Sequence, residues 1–145
     1  MCGRVVVALD SETLATIARA KEIRNEIRFK QSYNIAPGRY IPASYKEHKQ
    51  NVLEAMKWGT TNKDGISLSN ARSENFSIYY KNWKRCVIVI NGYYEWKKII
   101  AKNDEDKILA SQPYFIKGLN IEYLTIAGVY KDSLDEVVFI ELGRI

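Results

Sequence analysis

The feature that most constrains the fold of this chain is a succession of short apolar runs rich in β-branched and aromatic residues. They occupy residues 4–9, 52–58, 85–90, 113–117, 123–129 and 137–142. Their length and composition are typical of β-strands, whereas helical periodicity is confined to short segments. The pattern therefore predicts an α+β domain dominated by a strongly bent, mostly antiparallel β-sheet with a few peripheral helices.

The most regular of these helical segments follows the first run. Asp10 or Ser11 can cap a helix, and Lys21 and Arg24 suit its last turn because cations are favourable there. The apolar stripe of this helix is formed by Leu14, Ile17 and Ala18, with Lys21 at the same spacing. A second stripe at helical spacing consists of Phe76, Tyr79, Tyr80 and Trp83, and such aromatic stripes usually form core contacts.

Three connections carry clear turn or loop signals. Residues 32–42 contain two prolines and a glycine, so they predict a loop of fixed shape. Asn91-Gly92 indicates either a turn between two paired strands or a kink within one strand. The charged residues 97–111 predict a solvent-exposed excursion with a short helix.

Length, cysteine count and charge limit the class of protein. A chain of 145 residues fits one domain, 1–145, and its net charge of +5 is compatible with a polyanionic partner. Cys2, Cys86 and His48 are too few for a disulfide framework or a metal-ligand motif, so we expect a reduced protein without a metal or other cofactor. No apolar run approaches the roughly 20 residues of a membrane span. The sequence therefore predicts a cytoplasmic, nucleoid-associated protein (nuclear if eukaryotic) without a membrane.

Cys2 directly follows the initiator methionine in Met1-Cys2-Gly3-Arg4. If Met1 is removed, Cys2 carries an α-amine and a thiol with ordinary pKa values of roughly 8 and 8.5, so part of each is deprotonated near neutral pH. Such a 1,2-aminothiol can trap an aldehyde, because the amine forms an imine and the thiolate closes it into a thiazolidine ring. Taken alone, a cysteine at this position is more often an ordinary residue of an early strand.

Six short blocks occur in one order along the chain. They are Met1-Cys2-Gly3-Arg4, Tyr33-Asn34-Ile35-Ala36-Pro37, Lys57-Trp58-Gly59, Asn70-Ala71-Arg72-Ser73-Glu74, Arg85-Cys86 and Asn91-Gly92-Tyr93-Tyr94-Glu95-Trp96. In these blocks the chain resembles the SOS-response-associated peptidase (SRAP) family. The resemblance implies a barrel-like α+β fold and a sensor of abasic sites in single-stranded DNA. It also implies that the protein removes its own Met1 and captures the ring-opened sugar through Cys2.

The resemblance assigns roles to particular residues. Cys2 is the nucleophile, and Glu95 exchanges protons, since its neighbours Tyr94 and Trp96 favour partial burial of the carboxyl group. Asn70 cannot titrate and is expected to orient the Cys2 amine or a sugar hydroxyl. Arg4 and Arg72 are expected to hold phosphate oxygens. The remaining predicted DNA contacts are Asn34, Pro37 and Trp58, the last by stacking on or wedging between bases.

The chain departs from the family pattern at its C-terminal side. The family continues to a His-x-Arg-Met-Pro segment, whereas this sequence ends at Ile145 without it. His48, in a Lys-Glu-His-Lys-Gln segment predicted to be exposed, does not replace that histidine. We expect the shortened sheet to leave an apolar edge that could support self-association.

Two main hypotheses follow from this departure. One is a slow catalytic abasic-site trap, and the other is a non-catalytic single-stranded DNA-binding remnant. A third, weaker hypothesis is an N-terminal-nucleophile amidohydrolase, in which the Cys2 amine activates its own thiol.

Overall fold

The computed structural model describes residues 3–141, except for the side chain of Glu141. Helices α1 and α2 span Ser11–Ala18 and Phe76–Tyr79. The thirteen strands, in chain order, are β1 Arg4–Val7, β2 Ala20–Arg24, β3 Ser32–Ile35, β4 Tyr40–Glu47, β5 Gln50–Trp58, β6 Thr60–Thr61, β7 Ser67–Leu68, β8 Asn70–Arg72, β9 Lys84–Ile90, β10 Gly92–Ala101, β11 Asp104–Lys117, β12 Leu124–Lys131 and β13 Glu136–Glu141. Short 3₁₀ turns at Glu26–Arg28, Ser73–Asn75 and Asp132–Leu134 complete the elements. The prediction of an α+β domain with few helices is confirmed.

The larger sheet closes on itself. Its strands run in the order β2-β5-β4-β9-β12-β13-β8, and an additional pairing joins β5 to β13. That pairing completes a ring of five strands, β5-β4-β9-β12-β13, so the sheet is a small barrel with β2 and β8 attached outside the ring. Most neighbours are antiparallel, but β13 pairs in parallel with both β5 and β8, and β2 pairs in parallel with β5. The predicted bent and mostly antiparallel sheet is thus confirmed.

A second sheet, in the order β11-β10-β1-β3, packs against the barrel. Its strand β1 is buried, with Val5 fully inaccessible to solvent, because β3 and β10 flank it and α1 and the barrel cover it. Leu14 of α1 and Ile88 of β9 belong to the same apolar cluster. A separate, smaller cluster lies under α2, where Tyr80 packs with Val129 and Val138.

The structure corrects the predicted first helix. Asp10 caps α1 as expected, since its carboxylate accepts a hydrogen bond of 2.8 Å from the Thr13 amide. The helix ends at Ala18, however, because Arg19 adopts a left-handed conformation with φ of 51°. Lys21 and Arg24, which were predicted for its last turn, lie instead in β2. Helical spacing at Lys21 was therefore coincidental, and the pairing of β2 with β5 decides the conformation.

Three further expectations are revised. Residues 32–42 are not all loop, since β3 and β4 leave only 36–39 between them. The strands on either side of Asn91 do not pair with each other. β9 lies in the barrel and β10 in the second sheet, and only Asn91 separates them, so this residue is not a hairpin turn but fits the alternative of a kink, at the crossing between the sheets. Residues 97–111 contain no helix but form much of the β10–β11 hairpin.

This hairpin projects from the body of the protein. Every residue of β11 is exposed, and β11 is an outer strand of its sheet. Exposed apolar side chains of the hairpin include Ile99, Ile100, Ile108, Leu109 and Phe115. In the part of the chain that the structure describes, no helix is long and apolar enough to cross a membrane.

Candidate functional site

The first group of predicted site residues lies where β1, β3 and β10 meet. Arg4 begins β1 and stands opposite Tyr94 of β10. The Arg4 guanidinium donates a hydrogen bond of 2.8 Å to the Asn34 side chain on β3. Asn34 is itself held at its backbone, because its amide donates to Ser32 Oγ at 3.2 Å. Two residues predicted separately as DNA contacts thus form one hydrogen-bonded pair.

Glu95 follows Tyr94 and therefore lies one residue past the Arg4–Tyr94 pair, at the end of β1 that leads towards residues 1 and 2. Its side chain is half-buried, and its partner on β11 is Tyr114. Because side chains alternate between the faces of a sheet, Glu95 shares a face with Tyr93, which packs on the core. Arg4 shares the opposite face with Tyr94.

The second group lies on β8, at the other edge of the barrel sheet. Asn70 begins this strand opposite Phe139 of β13, and Arg72 ends it opposite Glu141. Asn70 is half-buried and Arg72 is exposed. Both residues line a groove of about 810 Å³ that runs between the β6–β7 connection and α2. Short as it is, β8 is fixed in place by its parallel pairing with β13.

Trp58 forms hydrogen bonds both with Ser69, the residue before β8, and with the loop that contains Pro37. The indole is fully buried, stacks on Phe139 with ring centres 4.5 Å apart, and donates from Nε1 to the Ser69 carbonyl at 3.0 Å. The Trp58 carbonyl accepts from the Gly38 amide at 2.7 Å, and the Trp58 amide donates to the Arg39 carbonyl at 2.8 Å.

The expectation that Trp58 stacks on DNA bases does not fit this placement, because neither face of the ring is accessible. The residue supports the surrounding loops instead. Pro37 is exposed at the tip of residues 36–39, and Gly38 beside it has φ of 89°, a conformation that favours glycine.

Cys2, the predicted nucleophile, and Met1 lie outside the described residues. The other thiol, Cys86, is buried in the barrel wall, and burial raises its pKa to about 12. It is therefore protonated and poorly nucleophilic at neutral pH. His48 is exposed in the tight turn between β4 and β5, as predicted.

Residues 3–141 contain no group of three or more His, Cys, Asp or Glu side chains that could hold a metal ion. Sequence reasoning missed Phe139, the ring on which Trp58 stacks. Its signal was the apolar run 137–142, which indicated a strand but not its partners.

Comparisons with known proteins identify relatives of this arrangement. A family model described as SOS response associated peptidase (SRAP) matches residues 1–138. Abasic site processing protein YoqW of Bacillus subtilis is 28% identical over 142 residues, which cover 90% of this chain and 60% of that protein. Abasic site processing protein YMR114C of Saccharomyces cerevisiae is 33% identical over 124 residues, which cover 73% of this chain and 31% of that protein.

A crystal structure of a phage-related protein from Bordetella bronchiseptica superposes with a TM-score of 0.73 at 22% identity, covering 96% of this chain and 68% of that one. This likeness shows a shared fold. The architecture is that of an α+β domain in which a small barrel packs against a sheet containing the N-terminal strand. Within this class, the chain belongs to the SOS response associated peptidase family. It spans about 60% of the length of its Bacillus subtilis relative YoqW.

Proposed function

We propose that the protein senses abasic sites in single-stranded DNA and binds them covalently through Cys2 after removal of Met1. Family membership supports this proposal, since its matched relatives are named abasic site processing proteins. The observation that carries it is the position of Glu95, beside the end of β1 that leads directly into Cys2 in the sequence. A carboxyl group there can exchange protons with an N-terminal amine or with a sugar hydroxyl.

The proposed reaction begins with hydrolysis of the Met1–Cys2 peptide bond, which frees the Cys2 amine. The amine adds to the aldehyde carbon of the ring-opened sugar, and loss of one water gives an imine. The Cys2 thiolate then adds to the imine carbon, and the nitrogen takes up a proton to give a thiazolidine. The net change is loss of one water from aldehyde and aminothiol, with no oxidation or reduction, so the reaction needs no oxidant or reductant.

The remaining residues have binding and positioning roles in this proposal. Arg4 and Arg72 provide bidentate donors for phosphate oxygens, and the hydrogen bond from Arg4 to Asn34 holds one of these cations in place. Asn70 orients the amine or a sugar hydroxyl. Pro37 approaches the DNA from the loop that the backbone of Trp58 secures. Arg4 and Glu95 project from opposite faces of the sheet.

The experiment combines intact-mass measurement with a crosslinking assay. The purified chain should lack one methionine residue, and incubation with single-stranded DNA containing an abasic site should give an adduct that survives denaturation. Cys2→Ala should abolish the adduct, whereas Cys86→Ser removes the buried thiol and should leave the yield unchanged. Glu95→Gln should slow adduct formation by about 10² to 10⁴.

Equal yield from Cys2→Ala would overturn the proposal. If Met1 is retained and binding is fully reversed by salt, the protein is instead a non-catalytic DNA-binding module.

Covalent capture requires an association with DNA in the cell, on the nucleoid of a bacterium or in the nucleus of a eukaryote. Loss of DNA-dependent localisation in the Arg4→Ala, Arg72→Ala double variant would test that consequence.

We further propose that two copies associate through β11. This strand is an outer edge with 14 exposed residues, and its unpaired backbone groups can accept a second strand. If two antiparallel copies of β11 overlap over their full length, Asp104 at the acidic start of one strand faces Lys117 at the end of the other. Pro113 donates no amide hydrogen, so the pairing is interrupted there. Light scattering across a concentration series should detect dimers, and Leu109→Lys should raise the protein concentration at which they form. A protein that is monomeric at every concentration rejects the proposal.

A further inference from the structure

Asn91 lies at the joint between the barrel and the second sheet, and its hydrogen bonds reach two other parts of the chain. It is half-buried, and its backbone amide donates to the Val6 carbonyl at 2.8 Å. Its Oδ1 accepts from the Ala8 amide at 2.6 Å, and its Nδ2 donates to the Glu122 carbonyl at 2.9 Å. One residue thus ties the end of β1 to the segment that leads into β12.

An asparagine suits this joint because its planar side-chain amide carries both an acceptor and a donor. The acceptor satisfies the backbone amide of Ala8, and the donor satisfies the carbonyl of Glu122. An aspartate at this position offers acceptors alone when it is ionised, so it can keep the bond to Ala8 but not the bond to Glu122. Substitution can therefore separate the two bonds.

The register of β1 has little other support among the pairings that the structure describes. Its pairing with β10 covers three residue pairs, which begin with Arg4 opposite Tyr94. Its pairing with β3 is irregular between Val5 and Val7. Residues 5–7 are all valine, so a slip by one or two residues still directs a valine towards the core. Side-chain pattern, which usually fixes register, therefore opposes a slip only weakly here.

A slip of β1 would move the N-terminal residues relative to Glu95. Each residue of a strand advances about 3.3 Å, so a slip by two residues displaces the strand by about 7 Å. A carboxyl group that exchanges protons must lie within about 3 Å of the atom that it serves, or one water away from it. The register of β1 therefore decides whether Glu95 can serve the residue that precedes this strand.

We propose that Asn91 is a positioning residue, which holds β1 in the register that brings the Cys2 amine to Glu95. This inference rests on the proposed function, in which Cys2 and Glu95 act together. Asn91 acts through its bond to Ala8, just past the opposite end of β1, and so affects the rate of the covalent step rather than the affinity for DNA.

The test compares Asn91→Ala with Asn51→Ala, a matched control. Asn51 also donates from its side chain to a backbone carbonyl, that of Ala18 at 2.9 Å, but this bond joins β5 to the end of α1. Both substitutions should lower the urea midpoint. Asn91→Ala should also slow adduct formation at saturating abasic DNA by about 10²-fold, since a misplacement of about 1 Å can have that effect. Asn51→Ala should leave this rate unchanged.

Two details make the comparison specific to positioning. The DNA concentration that gives half of the maximal rate should be the same for Asn91→Ala and the wild type. Rates are normalised to the fraction of chains without Met1, which intact-mass measurement gives, so a difference in processing does not contribute.

Asn91→Asp separates positioning from stability. This variant should lower the urea midpoint as Asn91→Ala does, because the Glu122 carbonyl loses its donor. It should nevertheless regain most of the lost rate, because the bond to Ala8 remains. If the rates of the three variants simply follow their stabilities, Asn91 has only a structural role and the inference is overturned.

A second measurement follows the register of β1 without any chemistry. In Asn91→Ala, the Ala8 amide should lose its protection from hydrogen exchange, and the nuclear Overhauser contacts between Arg4 and Tyr94 should weaken. In Asn91→Asp, both should persist. Absence of an adduct in the wild type, together with these register effects, rejects the covalent function and supports the role of Asn91 in the register. An Asn91→Ala protein that crosslinks at the wild-type rate rejects this inference alone.

Discussion

Replacing Trp58 by phenylalanine separates a supporting role for this residue from a role in stacking on DNA. The indole is inaccessible to solvent, stacks on Phe139 and donates to the Ser69 carbonyl. Ser69 keeps a second donor in the variant, the Phe139 amide at 3.1 Å, so its carbonyl is not left without a partner. The substitution therefore costs a hydrogen bond and part of a ring but does not leave an unsatisfied polar group.

The size of the effect follows from these two losses. One net hydrogen bond contributes about 1 kcal/mol to the free energy of unfolding. The smaller ring also removes roughly two buried carbons at about 0.8 kcal/mol each. The expected destabilisation is therefore about 2–3 kcal/mol, which for a domain of this size lowers Tm by roughly 4–12 °C.

Urea denaturation of the wild type and Trp58→Phe measures this difference directly, and the slope of free energy against urea should stay unchanged. Trp96→Phe is the matched control. Trp96 is 45% exposed, so its replacement should change the free energy of unfolding by no more than about 0.5 kcal/mol. If Trp58→Phe is as stable as the wild type but binds single-stranded DNA much more weakly, the buried placement is refuted in favour of base stacking.

Three further predictions concern other parts of the fold. A Cβ at Gly92 would lie 2.5 Å from the Ile116 carbonyl oxygen and 2.6 Å from the Phe115 ring. Gly92→Ala should therefore separate β10 from β11, destabilise the fold by about 1–3 kcal/mol and reduce crosslinking. A variant as stable as the wild type in urea titration would contradict this prediction. The hydrogen bonds of Arg24 hold the pKa values of Glu22 and Glu47 below their usual 4.5, so their stabilisation is present above that pH and is lost as the pH falls through the lowered values. The stability difference between the wild type and Arg24→Gln should therefore shrink below about pH 4.5 in thermal melts, and a constant difference would reject the reasoning. Because burial raises the pKa of Cys86 to about 12, iodoacetamide should label this thiol at neutral pH only after denaturation, as peptide mass mapping of the Cys2→Ser protein can establish.

Six of the thirteen strands, β1, β5, β9, β11, β12 and β13, could be predicted from sequence because their apolar runs satisfy local rules. Residues 52–58 match β5, and Asp10 caps α1 as its side chain indicates. The errors arose where tertiary pairing overrides local preference. The β10–β11 hairpin contains enough lysine and aspartate to suggest a helical excursion, yet strand pairing over most of its length decides its conformation.

The candidate site was predictable residue by residue but not as an arrangement. Arg4 and Asn34 were each expected near DNA, and their hydrogen bond follows from the pairing of β1 with β3, which sequence patterns do not specify. Sequence does not decide the role of Trp58, because a tryptophan in an apolar strand fits either a core or a stacking surface. Only its burial against Phe139, a residue 81 positions away, distinguishes the two.

The physical basis of the site is the parallel pairing of β13 with two strands at once. Val137 pairs with Trp58 at the end of β5, and two residues later Phe139 pairs with Asn70 at the start of β8. Since Trp58 also exchanges backbone hydrogen bonds with residues 38 and 39, one strand brings together the Pro37 loop, the supporting indole and Asn70. These contacts join segments far apart in sequence, so the site assembles only when the barrel closes. If the proposed function holds, a substitution that weakens the β5–β13 pair should therefore impair DNA binding even where it touches none of the proposed DNA contacts.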